Sequence, residues 1–286
     1  TIGVYSDYVF TAWTADRIKK GTKLIIGQHG GYYATAKIPG EFFYHELKCS
    51  DAYFSWGWRM PSFDIRPITS FPFLGLESGN WKNKGKIVIV TRIVCRNSAE
   101  LTTSTLPGKN NTEFMNRLVA LIKKIPKKEM YNLCVKLHPG ESGNREEGEC
   151  IELYLREKFH SLKIYSSIEI SLSRLLKESK LAIFTYDGTP FLESMATDYP
   201  CLLVFDTSIE PLSNLAKPYY DELSSVGIFH TSVDSAVKQI EFISKNISEW
   251  WFSEKVLDVK KSFCHQFARR SNNDIGLISK ELKGLI

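Results

Sequence analysis

No stretch of this 286-residue chain approaches the roughly 18 consecutive apolar residues that a membrane span requires. The opening residues lack the basic, apolar, small-residue order of a secretory signal. Because Thr1 rather than Met comes first and the pattern opens midway, the sequence reads as a segment of a longer protein. There is no internal repeat, no low-complexity tract, no DxD-type metal motif and no CxxC pair, so nothing suggests a solenoid or a metal site. The six cysteines (Cys49, Cys95, Cys134, Cys150, Cys201 and Cys264) show no pairing by spacing. Cys134 and Cys201 fall in apolar runs, and the set reads as free thiols of a reducing cytoplasm. Charge of one sign is scarce as well: the net charge is +5, and lysines and arginines are scattered. That excludes a nucleic-acid partner. The densest basic runs, Lys123-Lys124 with Lys127-Lys128, Lys260-Lys261 and Arg269-Arg270, read as solvated helix faces or as contacts to an anionic substrate or membrane surface.

What is present is the composition of a globular protein, 43% hydrophobic and 24% charged. Residues 1–75 read as the C-terminal part of an acceptor-side α/β domain: helix over 12–20, strand over 23–26, helix over 41–48 and strand over 52–55. Residues 66–83, with Pro67, Pro72, Gly75 and Gly79, form the best linker candidate. From Lys86 on, apolar runs at 87–90, 132–137, 162–165, 181–184 and 201–205 read as buried parallel strands. Helix-period segments at 113–123, 149–158, 171–177 and 190–197 lie between them. This alternation predicts an α/β fold with a doubly wound, Rossmann-like parallel sheet over 76–246. Such sheets bind ligands at the carboxyl ends of their strands. An aromatic-rich helical tail follows, and its last part, 247–286, is expected to pack across both domains.

Each polar motif comes just after a predicted strand. In Val135-Lys136-Leu137-His138-Pro139-Gly140, His138 is placed to donate to a phosphate oxygen, Pro139 ends the strand, and Lys136 adds a cation; a capped loop histidine is the plain alternative. In Thr185-Tyr186-Asp187-Gly188-Thr189-Pro190-Phe191-Leu192-Glu193-Ser194, Thr189 is expected as N-cap and Pro190 at the first helical position, so that the helix N-terminus meets a phosphate. Glu193 then reaches ribose or sugar hydroxyls, or merely serves a capping box; Thr185, Gly188 and Ser194 complete the candidate donor set. After the first strand, Gln28-His29-Gly30-Gly31 offers a flexible backbone and in His29 a base or charge-stabilising donor. Glu41 and Asp51 join His29 as catalytic candidates. Trp56 and Trp58, flanking Gly57, form either a sugar-stacking wall with Gln28, Gly30 and Gly31 or part of the core. Arg92, ending the strand at 87–90, is a diphosphate clamp or a surface ion pair.

Taken together, Gln28-His29-Gly30-Gly31, Asp51 and Trp56-Gly57-Trp58 resemble the transferases of bacterial O-antigen loci first catalogued in Leptospira. Lys136-Leu137-His138-Pro139 and Thr185 through Glu193-Ser194 to Pro200 resemble the donor half of GT-B glycosyltransferases, including sialyltransferases, Kdo transferases and wall teichoic-acid polymerases. The resemblance covers about residues 20–60 and 85–205. It implies a GT-B fold, no cofactor beyond the nucleotide-sugar substrate, and transfer from a donor such as a CMP-linked nonulosonic acid or Kdo. The acceptor it implies is a glycan or lipid-linked glycan, with peripheral membrane association at the cytoplasmic face. It also implies a nucleotide-phosphate contact for His138 and a base role for His29. One departure stands out: Tyr32-Tyr33-Ala34 follows the His-Gly pair where the family pattern has a glycine after the aromatic residue. Alternatives are polyol-phosphate transfer from a CDP-alcohol, a sugar-nucleotide epimerase and a non-catalytic scaffold. His29 and His138 facing one cleft would argue against the scaffold.

Overall fold

The computed structural model describes residues 7–38, 42–76, 81–94, 109–138, 151–166 and 169–285. Two parallel sheets are built in chain order. Helix α1 (Tyr8–Lys19) starts where the Asp7 carboxylate accepts hydrogen bonds from the amides of Val9 and Phe10. Strand β1 (Ile25–Gly27), helix α2 (Phe42–Cys49), β2 (Ala52–Ser55) and β3 (Ile65–Pro67) follow. The three strands form a parallel sheet in the order β1-β2-β3. β3 was not legible from the sequence. It is three residues long and takes its strand conformation from pairing with β2, Ile65 opposite Tyr53. Residues 66–83 are accordingly only in part a linker: Arg66 and Pro67 close β3, and Ile68, Thr69, Ser70 and Phe73 are buried.

The second sheet collects β4 (Lys86–Val90), β5 (Leu133–Lys136), β6 (Lys163–Tyr165), β7 (Ser179–Phe184), β8 (Cys201–Val204) and β9 (Phe229–His230). All pairings are parallel and the order is β6-β5-β4-β7-β8-β9. This is the doubly wound arrangement that the alternation predicted. Every residue of β5 and β8 is buried, as expected for strands covered on both faces. The crossovers carry α3 (Lys109–Lys124), α4 (Ile151–Lys158), α5 (Leu172–Lys177), α6 (Thr189–Ala196) and α7 (Lys217–Ser225), and α8 (Val233–Ile243) follows β9. The chain runs outward from β4 to β6 and returns on the other side of β4 as β7. The strand order therefore reverses between β4 and β7, and a crevice opens at their carboxyl ends.

The tail forms α9 (Ile247–Trp251), α10 (Glu254–Phe267) and α11 (Asp274–Lys283). Phe263 of α10 packs edge-on against Phe191 of α6 and Tyr220 of α7. Lys260, far from being a solvated cation, is buried against Asp198 and lies 4.1 Å from the centre of the Trp251 ring. Beyond α10 the chain reaches the first sheet: the Arg269 amide donates to Trp56 O at 3.0 Å, and Thr69 Oγ1 donates to Asp274 at 2.6 Å. The tail thus touches both sheets, and buried residues of the two form one continuous apolar cluster.

Candidate functional site

A cleft of about 660 Å³ occupies the crevice. Its floor is the residues leaving β4 (Thr91, Arg92, Ile93), β5 (Leu137, His138) and β7 (Tyr186, Asp187, Gly188), with Lys136 at the end of β5. Gly30, Gly31 and Tyr32, from the loop after β1, close it from the first sheet. Of the residues singled out in the sequence, Gly30, Gly31, Arg92, Lys136, His138, Gly188 and Thr189 therefore line one cavity. The fold explains the convergence, because every parallel strand delivers its following loop to the same edge.

Three basic side chains come from this edge. Arg92 is buried; its guanidinium packs 4.6 Å from the centre of the Phe114 ring, and Nη1 lies 3.5 Å from Glu210 Oε1. Lys136 is also buried and donates from Nζ to the Ser166 carbonyl at 2.6 Å. Burial lowers its pKa, and Glu169 acts in the opposite sense. Burial lowers that of His138 too, favouring the neutral imidazole. Two carboxylates share the walls. The Asp187 carboxylate accepts from the Thr35 hydroxyl and is pushed up to about 6 by burial, while burial also raises Glu210 against the pull of Arg92.

The remaining candidates lie elsewhere, each for a visible reason. His29 is not among the residues lining the cleft: its Nε2 lies 3.0 Å from Glu46 Oε1, and the Tyr33 hydroxyl rests on the same ring. His29 and His138 therefore do not both line this cavity. Asp51 stands at the amino-terminal edge of the first sheet, where its carboxylate accepts from the Leu24 amide at 2.7 Å. Parallel strands put that edge away from the cleft, so Asp51 organises the sheet. Glu41 lies outside the described residues.

Trp56 and Trp58 are fully buried and form no sugar wall. Gln28, itself buried, organises them. Its Oε1 accepts from the Trp56 amide at 2.9 Å and from Trp58 Nε1 at 2.7 Å, while its Nε2 donates to Gly30 O at 2.7 Å. Thr185 turns its hydroxyl to Val90 O at 2.9 Å, tying β7 to β4. Ser194 is buried inside α6, and Glu193 is absent from the cleft lining because it lies a full turn beyond the helix start.

The start of α6 also differs from the expectation. Gly188, with extended backbone, is the N-cap, and Thr189 is already helical. Pro190 has no N–H, and the Phe191 amide is taken by Gly188 O at 3.1 Å. A methyl group on Gly31 would stand 2.6 Å from the Thr189 nitrogen, so the loop after β1 lies directly on this helix end. The helix N-terminus is thus a contact between the two halves as well as part of the cleft lining. Asp187 and Glu210 were not singled out in the sequence. Asp187 sits inside a motif that was, and Glu210 follows a strand like every other site residue, which was the available signal. The relation of Glu46 to His29 is set by packing.

A family profile described as LIC12162 family transferase matches residues 1–282. Among curated proteins none matches the sequence. Several solved structures are similar to the chain at low identity. The wall teichoic acid polymerase TagF is 13% identical at a TM-score of 0.44, over 92% of this chain and 68% of that one. The spinosyn forosaminyltransferase SpnP is 13% identical at 0.43, over 86% of this chain and 57% of that one. An accessory secretory protein structure from Streptococcus pneumoniae is 9% identical at 0.47, over 97% and 57%. The chain therefore spans little more than half the length of two of these three.

Proposed function

The chain belongs to the LIC12162 family of transferases, and from that premise we propose that it is a GT-B glycosyltransferase that binds a nucleotide-activated sugar in the cleft between its two sheets. The observation that carries this reading is the convergence of Arg92, Lys136 and His138 on one cavity at the carboxyl edge of the doubly wound sheet. Two buried cations on one cleft wall favour a ligand of opposite charge. A phosphate ester is such a partner, and guanidinium geometry suits it.

In this reading the acceptor hydroxyl attacks the anomeric carbon of the donor, the bond from that carbon to the phosphate oxygen breaks, and the hydroxyl proton passes finally to the departing phosphate. Negative charge grows on the departing nucleotide. Arg92 and Lys136 meet it with fixed positive charge, and His138 donates a hydrogen bond. Preorganised groups of this kind are worth several kcal/mol in a site closed to water. Charge on the leaving group is met by side chains, so the reaction is read as metal-independent. The donor is a CMP-linked nonulosonic acid or Kdo, as the sequence resemblance implies. The acceptor, a bacterial surface glycan or its lipid-linked precursor, approaches past Gly30 and Gly31. No described helix is long and apolar enough to cross a membrane.

A thermal-shift screen of CMP, CDP, UDP and GDP tests the reading, because a ligand that binds only the folded state raises its melting temperature. One nucleotide should stabilise the protein selectively, and Arg92→Ala should abolish the effect. Stabilisation by none of the four, or an effect that survives in the Arg92 variant, refutes the donor site.

A further inference from the structure

Arg92 and Glu210 meet on the cleft wall, and each is held in place by different elements. Phe114 of α3 lies against the guanidinium and fixes its plane. The Glu210 amide donates to Asp206 O at 2.8 Å, and the Asp206 carboxylate is paired with Arg117 at 2.9 Å. On the other side of Glu210, the Lys37 amide donates to Pro211 O and the Ser213 amide to Thr35 O, each at 2.8 Å. The strap 206–213 is thus fastened at both ends, and the Glu210 side chain reaches from it to Arg92.

At 3.5 Å the Nη1–Oε1 contact is longer than the 2.7–2.9 Å of a well-formed charge-assisted hydrogen bond. Two fork-matched phosphate oxygens would make a stronger partner for the same guanidinium. Arg92 and Glu210 also border a second cavity, of about 30 Å³, that reaches Arg117. That is room for at least one water molecule, enough for a carboxylate oxygen to enter. A second cation is therefore at hand for the carboxylate once it leaves the first.

We propose that Glu210 is a built-in competitor for the donor phosphate: it neutralises Arg92 in the empty cleft and yields that guanidinium, turning toward Arg117, when a phosphate ester binds. The inference rests on the donor reading above. It makes Glu210 a positioning residue. Its carboxylate keeps Arg92 compensated and oriented without substrate, and it lowers the affinity for every phosphate ligand by the work of displacing it.

Calorimetric titration with inorganic pyrophosphate at fixed pH, on the wild-type chain, Glu210→Gln and Glu210→Asp, tests the idea. Removing a competing charge from a close, partly buried pair should tighten pyrophosphate binding by on the order of tenfold in Glu210→Gln. Glu210→Asp keeps the charge but shortens its reach, and its affinity should fall between the other two. A merely structural role predicts weaker or unchanged binding in both variants. Equal affinity in all three overturns the competitor alone and leaves the donor site standing. No binding by the wild type or either variant overturns both. Should Glu210→Gln fail to fold, as judged by circular dichroism, the aspartate variant decides: absence of any gain refutes the proposal.

Discussion

Replacing Asp187 by asparagine should make the protein more stable at neutral pH, although it removes a residue from the wall of the cleft. The residue keeps some surface there, but its Oδ1 is shut off from solvent, and Thr35, which donates to the carboxylate, is fully buried. Burial, opposed by hydrogen bonding from Thr35 and Tyr220, moves the carboxyl from 3.8 to about 6. The folded pKa lies above the unfolded one, so the native state holds this proton more tightly. The resulting stabilisation is complete below the unfolded value of 3.8 and is lost as pH rises through about 6. Two units correspond to about 3 kcal/mol. Screening by water at the cleft edge reduces the expected effect to about 1–3 kcal/mol. Asparagine carries no charge at any pH and can still accept from Thr35. Urea unfolding followed by tryptophan fluorescence should show wild type and Asp187→Asn nearly level at about pH 4. By about pH 7.5 the variant should lead by about 1–3 kcal/mol. Groups common to both proteins cancel in the difference. A variant less stable than wild type at neutral pH, or a gap that does not change with pH, would refute the reasoning.

His138→Ala should weaken nucleotide binding at least tenfold while changing stability by less than about 1 kcal/mol, since the half-buried ring ends a strand rather than filling the core; titration calorimetry beside urea unfolding separates the two effects. Gln28→Leu strips the Trp56 amide and Trp58 Nε1 of their acceptor, and should cost about 2–4 kcal/mol in chemical unfolding. Gly31→Ala must push the loop after β1 away from the Thr189 nitrogen, 2.6 Å from the added carbon, and should cost about 1–3 kcal/mol. A neutral result there would mean that the two halves do not touch at that point. Cys49, which is exposed, should react with a thiol reagent in the native protein. Cys134, pushed up to about 12 by burial, should stay silent until the chain unfolds.

The sequence by itself determined the α/β class and the run of strands from β4 to β8. Those strands are continuous apolar runs broken by helix-period segments, and both signals are local. It also determined which loops matter, because in a parallel sheet whatever follows a strand goes to the same edge. Arg92, Lys136 and His138 were therefore legible as a group before any of their distances were known. The short strands β3 and β9 were not, since no long apolar run marks them and each takes its strand form from pairing with a neighbour.

Only the tertiary structure decided which way each polar side chain turns. His29 and Gln28 follow β1 as His138 follows β5, with the same glycine-rich surroundings. Yet the buried carboxylate of Glu46 engages one, and two tryptophan N–H groups hold the other. Trp56 and Trp58 read equally well as wall or core until the tail laid its backbone against Gly57, where an added carbon would meet His265 O at 2.4 Å. Asp187 and Glu210 owe their raised pKa values to burial, which outweighs the opposing pull of groups distant in sequence, Thr35 and Tyr220 for one, Arg92 for the other. Burial and pairing are sums over neighbours that the fold brings together. Position at a strand end places a residue near the site, and packing decides whether it faces the ligand.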